Sequence, residues 1–138
     1  MTYRYLDKIA TADIAFESES DTVEGLFRDS ALAVMETMIN LKDVKQETKK
    51  IIEIEATNIE DLMFDWLSEL VFIKDSENML FSKFNITIKD NKLKAECFGE
   101  EINQKRHKPR VDVKAITLHH FKVENIKNKW KANIIIDI

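Results

Sequence analysis

Hydrophobic and polar positions change period several times along the chain, and each change marks a structural element. "YRYLDKIATADIAFES" alternates irregularly and is rich in aromatic and β-branched residues. It predicts two short strands, or one bent strand, at about Tyr3–Asp7 and Ala12–Ser18. In "SDTVEGLFRDSALAVMETMINL" the period lengthens. Val23, Phe27, Ala31, Val34 and Met38 recur every three or four residues and predict a helix with one apolar stripe. Asp21 is placed to cap it, with Glu24 three residues on as a capping box requires. "KKIIEIEAT" reads as a strand. "NIEDLMFDWLSELVFIKD" predicts a second amphipathic helix, capped by Asn58, with Ile59, Leu62, Trp66, Leu70 and Ile73 along one side. "MLFSKFNITIKDNKLKAECFGEEI" predicts a hairpin turning at "KDNK", where Asp90 and Asn91 suit a tight turn. "RVDVKAITLHHFKVEN" is expected to be one long strand, and "KWKANIIIDI" the last.

The resulting order is strand, helix, strand, helix and then a run of antiparallel candidates. It predicts an α+β fold in which two amphipathic helices pack on a mostly antiparallel sheet. At 138 residues the chain suits a single domain, 1–138. A hydrophobic share of 44% beside 33% charged residues argues for a soluble globular protein over a disordered one. Two Gly and one Pro leave little material for linkers. The net charge of −4 argues against sequence-blind binding to phosphate backbones, so no direct nucleic-acid binding is expected. The lone Cys97 cannot form an intrachain disulfide and is expected in or near the core. With no run of 18 apolar residues and no signal segment, no membrane association is expected, and a reducing cytoplasm is the simplest location.

No phosphate-binding glycine loop, nucleophile elbow or metalloprotease helix pair is present. His107, His119 and His120 read as packing or surface residues. The adjacent pair, if in a strand, would point to opposite faces. The acids are more informative. Asp13 interrupts "TADIAF", and Asp137 interrupts a run of isoleucines. A carboxylate in such a strand is disfavoured unless paired, coordinated or solvated at a strand end. In "RVDVKAITLHHFKV", alternation would send Val113 and Ala115 towards the core and put Lys114 beside Asp112 on the other face. On the second helix, Asp65 and Glu69 are four apart and share a face, either solvated or available to a partner.

"TADIAF", "DWLSELVFI", "LFSKF", "GEEI" followed by "RH", "VKAIT" and "IIIDI" occur in this order through nearly the whole chain. Together they resemble the archease family. That resemblance implies a small α+β cytoplasmic protein that partners the GTP-dependent RNA-splicing ligase, which joins tRNA exon halves. It implies a role in promoting guanylylation of the ligase's active-site histidine and in sustaining turnover. Carried over by motif, the metal-binding acids are Asp13 and Asp137, with the terminal carboxylate of Ile138. The lysine important for activation is Lys114. The chain departs from the family's pattern at Ala10, where many relatives have His, and at Ala15 and Ser20, where Gly is common.

Two Asp side chains and a main-chain carboxylate offer only oxygen, which suits Ca²⁺ or Mg²⁺ better than zinc. The expectation is therefore a non-enzymatic activator with no catalytic residues of its own, a divalent metal at one end, and Lys114, Asp112, Asp65 and Glu69 as candidate partner contacts. Two other readings fit the same acids or the same fold: a metal-dependent phosphohydrolase or nuclease, and a general chaperone or RNA-modification accessory.

Overall fold

A computed structural model of the chain describes residues 2–6 and 13–138. The expected strand ends at Asp7 and Ala12, and position Ala10, lie outside these residues. In chain order the elements are β1 (Thr2–Leu6), β2 (Asp13–Ser20), α1 (Val23–Met38), a short 3-10 turn (Leu41–Asp43), β3 (Thr48–Glu55), α2 (Ile59–Glu77), β4 (Met79–Lys89), β5 (Lys92–Glu101), β6 (Ala115–Ile116), β7 (Lys122–Ile126) and β8 (Lys129–Asp137). Every strand pairing among the described residues is antiparallel. The α+β expectation holds, with the strands divided between two sheets. One has the order β1-β2-β8-β6, with β7 pairing further along β8, and the other has the order β3-β5-β4.

Both helices form where the apolar spacing puts them. The α1 stripe of Phe27, Ala31, Val34 and Met38 is buried, as are Leu62, Trp66, Leu70 and Ile73 of α2. The α1 cap differs from the expected one. Thr22, not Asp21, accepts the Gly25 amide at 3.0 Å. Asp21 instead forms an ion pair with Lys129 at 2.6 Å. Asn58 caps α2 as expected, accepting the Asp61 amide at 2.8 Å. Asn78 ends that helix with φ of 55°, a left-handed conformation Asn tolerates.

One core joins the helices to both sheets. At its centre Trp66 is fully buried, its indole N–H donates to the Phe27 carbonyl at 3.1 Å, and Phe84 meets its ring edge-on at 5.6 Å. Cys97 is buried as expected, and burial pushes its thiol up to about 12 despite the opposing pull of Lys50. The β4–β5 hairpin turns at Asp90 and Asn91, with φ of 52° and 58°, as a two-residue turn with both central residues left-handed requires. Where β4 bulges between Phe81 and Lys83, β5 presents Gly99. A Cβ there would lie 1.9 Å from the Leu80 carbonyl oxygen, so the backbones can approach only at glycine.

The long strand expected over "RVDVKAITLHHFKVEN" breaks into pieces. Only Ala115–Ile116 and Lys122–Ile126 join a ladder. The stretch before β6 is pinned by side chains and single amides instead. The Arg110 amide donates to the Met38 carbonyl at 2.7 Å, and its guanidinium reaches the Glu36 carbonyl at 2.8 Å. His119 and His120 sit in a turn, not a strand. Their rings are 4.1 Å apart, and His120 has φ of 54°.

Candidate metal and partner site

β8 lies in the middle of the first sheet, with β2 on one side and β6 and β7 on the other. Its register with β2 places Asp13 directly opposite Asp137. Directly opposed residues of an antiparallel pair project from the same face, with Cβ atoms about 4.5–5.5 Å apart. The face follows from alternation. Phe16, Ile134 and Ile136 belong to the core, so the opposite parity, Asp13, Ala15, Ile135 and Asp137, lines the face turned away from the helices. Ala15 and Ile135 are themselves buried, so the two half-buried acids end an apolar row.

Like charges directly opposite on a sheet repel. Among the described residues neither carboxylate has an ion pair or hydrogen bond to offset this. Ile138 follows at once, its side chain packed against the core, which fixes its main chain beside Asp137. The donor set is all oxygen, close-set and uncompensated. It fits a hard divalent cation. No cluster of three His, Cys, Asp or Glu side chains occurs among the described residues.

On the other flank of β8, Ala115 is the register partner of Asp137. The Lys114 amide donates to the Asp137 carbonyl at 2.8 Å. Lys114 is therefore held by its backbone at the acidic end of the sheet, with its side chain exposed. The structure thus brings Asp13, Asp137, Ile138 and Lys114 to one place.

Asp112 plays a different part from the expected one. It does not pair with Lys114. It accepts from Lys74 of α2 at 2.5 Å. Val113 is buried as expected, whereas Ala115 is exposed, because the chain is not a strand at Asp112–Lys114 and strict alternation does not apply. Lys74 is buried and also donates to Asp75 at 2.5 Å and to the Val113 carbonyl at 2.9 Å. Burial alone would depress its ammonium. The two carboxylates outweigh that and hold it above its ordinary value. Lys74 therefore ties α2 to the two residues preceding Lys114. A lysine on the buried arc of a helix, four residues after Leu70, was the available signal for it.

Asp65 and Glu69 share the outer side of α2, and neither has an ion-pair partner among the described residues. They are remote in sequence from the acidic pair.

The "GEE" and "RH" segments build a structural network. Glu100 and His107 are buried. The Asn103 amide donates to His107 Nδ1 at 2.8 Å, so the ring proton sits on Nε2. That nitrogen lies 3.0 Å from Glu100 Oε2 and 3.1 Å from the Asp43 carbonyl. Glu100 also accepts the Lys45 amide at 2.6 Å and a bond from Arg106. Burial alone would raise the Glu100 carboxyl, but these donors together hold it below its ordinary value.

Fold and site together define a class: a small two-helix, two-sheet α+β protein with an acidic end where its second strand meets its last. The profile of the Archease protein family (MTH1598/TM1083) matches residues 3–138. The chain belongs to the archease family. It is 34% identical over 133 residues to the protein archease of Pyrococcus abyssi, covering 93% of this chain and 94% of that one. It is 35% identical over 132 residues to the protein archease of Methanothermobacter thermautotrophicus, with the same shares. The solution structure of Methanobacterium thermoautotrophicum protein 1598 superposes with a TM-score of 0.85 at 35% identity, covering 99% of this chain and 98% of that one. The crystal structure of an archease from Thermotoga maritima, described as a possible chaperone, has a TM-score of 0.69 at 21% identity over 94% and 93% of the two chains, and shares the fold. No helix among the described residues is long and apolar enough to cross a membrane.

Proposed function

We propose that this protein is a cytoplasmic, non-enzymatic activator of the GTP-dependent RNA-splicing ligase, promoting guanylylation of the ligase histidine and repeated turnover in tRNA exon joining. The observation that carries the reading is the register of Asp13 against Asp137, with Lys114 hydrogen-bonded to the same strand end. Family membership supports it, because these are the positions that matched the family's motifs.

Asp13, Asp137 and a main-chain oxygen of Ile138 would hold Ca²⁺ or Mg²⁺, which would supply positive charge for phosphate oxygens at the end of the sheet. The protein's own residues do the remaining work. The buried Lys74 fixes Asp112 and the Val113 carbonyl, and β8 fixes the Lys114 backbone. Little chain entropy is then left to lose when the Lys114 ammonium meets a phosphate on the partner.

The test is a guanylylation assay of purified ligase with GTP, alone and with this protein. Wild type should accelerate formation of the ligase–GMP adduct. Asp137→Asn and Lys114→Ala should not, although both fold. Full acceleration by both variants would refute the role of this end of the sheet. Turnover of RNA or nucleotide by the protein without ligase would favour the hydrolase reading.

A further inference from the structure

The three-stranded sheet has the order β3-β5-β4, so β3 is an edge. Its eight residues, Thr48–Glu55, pair with β5 on one side. Among the described residues no backbone hydrogen bond reaches β3 from the other side. Alternate amides and carbonyls therefore point out of the sheet with no backbone partner among those residues. An edge of this kind is a template for a further strand.

The side chains decide which strand fits. Ile52 and Ile54 pack on the core, so Lys49, Ile51, Glu53 and Glu55 line the opposite face. Ile51 is 50% exposed between Lys49 and Glu53. This row reads cation, isoleucine, anion, and run antiparallel it reads anion, isoleucine, cation. Two copies related by a twofold axis at Ile51 would set Ile51 against Ile51, with Lys49 against Glu53 on both sides of the axis. Directly opposed residues have Cβ atoms about 4.5–5.5 Å apart, within reach of an ion pair. On the inner face the same register sets Lys50 against Ile52 and Thr48 against Ile54. Placing Ile52 on the axis instead would set Ile51 against Glu53, and placing Lys50 there would set Lys50 against its own copy. The pattern favours the Ile51 register.

Neighbouring charges leave this match available. Lys49 approaches Glu96 of β5 at 3.5 Å, a long pair between two exposed side chains, and an ammonium has further donors to give. Glu53 stands opposite Lys94 in the β5 ladder but forms no ion pair among the described residues. Lys50, of the inner parity, is held by Glu77 at 2.8 Å. Other outer strands offer a second copy less. β1 carries Arg4 and β4 carries Lys83 and Lys89, with no acid in either. β7 spends Lys122 and Glu124 on each other at 3.0 Å.

We infer that this protein associates with a second copy of itself through β3, the two edges joining into one continuous antiparallel sheet with Ile51 on the twofold axis. β3 and the pair Asp13 and Asp137 belong to different sheets. The association therefore uses none of the residues of the acidic end, and each dimer carries two such ends. The inference stands apart from the activator reading.

Sedimentation velocity on the purified protein over a range of concentrations tests it. Wild type should show a reversible monomer–dimer equilibrium that weakens as salt rises. Lys49→Glu and Glu53→Lys each set like charges opposite one another on both sides of the axis. Each should weaken the dimer at least tenfold while keeping the wild-type circular dichroism. Mixed one to one, the two variants should regain the dimer, because each meets its opposite charge in the other. Lys49→Glu/Glu53→Lys in one chain should dimerise as wild type does. Wild type that stays monomeric at every concentration would overturn the inference. So would a dimer that neither single variant weakens, or single variants that remain monomeric when mixed.

Discussion

Two strand carboxylates in this protein have opposite fates. Glu100 on β5 is buried and accepts from the Lys45 amide, Arg106 and His107. Asp137 on β8 is half-buried, faces Asp13, and has no cation among the described residues. Both sit in glutamate- or aspartate-containing stretches that look alike on paper. The difference teaches where the fold spends its donors. Around Glu100 they are gathered and the acid becomes structure. At the end of β8 they are withheld and the acid remains available to something from outside.

The severest way to break the first region is Gly99→Ala. The methyl would meet the Leu80 carbonyl oxygen. More than about 4 kcal/mol should be lost, the range reserved for such mechanisms, and the variant should yield no cooperative melt. Next is Glu100→Ala, which removes the acceptor shared by Arg106, His107 and the Lys45 amide, leaves Arg106 and His107 only the Asp43 carbonyl, and should cost about 1–3 kcal/mol in urea unfolding.

Because the folded Glu100 lies below its ordinary 4.5, its contribution is fully present above that pH and is lost as pH falls through the folded value. Melts from pH 7 to pH 3 should show this loss, and Glu100→Gln should remove its share of it. A flat acid limb in the wild type would contradict the assignment.

The second region should respond in the opposite sense. Ca²⁺ at a hundred times its Kd should raise stability by about 2.7 kcal/mol, and Asp13→Asn should abolish that rise. Without metal the same substitution should stabilise the fold slightly, by about 0.2–1 kcal/mol, because it removes a cross-strand repulsion. A loss of stability in metal-free Asp13→Asn would mean the pair is compensated after all. The smallest effect on stability belongs to Lys114→Ala, at less than about 0.5 kcal/mol in urea unfolding, together with loss of ligase activation.

Much of this was legible in the sequence because local patterns carry it. The apolar stripes of α1 and α2, the Asp90–Asn91 turn and the oddity of acids at Asp13 and Asp137 depend on nearest neighbours and period. What was not legible depends on choices between equivalent partners. Asp21 and Thr22 are both competent caps, and Lys129, distant in sequence, draws Asp21 away. Lys74 reads as a surface lysine until the chain at Asp112 and Val113 closes over it. The stretch 110–114 alternates like a strand, but Arg110 and Lys74 fasten it by side chains, so no ladder is needed. The division into two sheets is a matter of register across long separations, which period alone does not encode.

The central place of β8 also bears on the order in which the molecule can be built. During synthesis α1, α2 and the β3-β5-β4 sheet emerge before the strand that organises the other sheet. Until β8 is made, β2 lacks the partner to which it is bonded from Asp13 to Ser20, and β6 and β7 have nothing to pair with. Pairing β2 with β8 spans the greatest sequence separation of any ladder among the described residues and so carries the greatest cost in loop entropy. Asp13 and Asp137 face each other only when β2 and β8 have paired, so a molecule that presents the acidic end has already closed its first sheet.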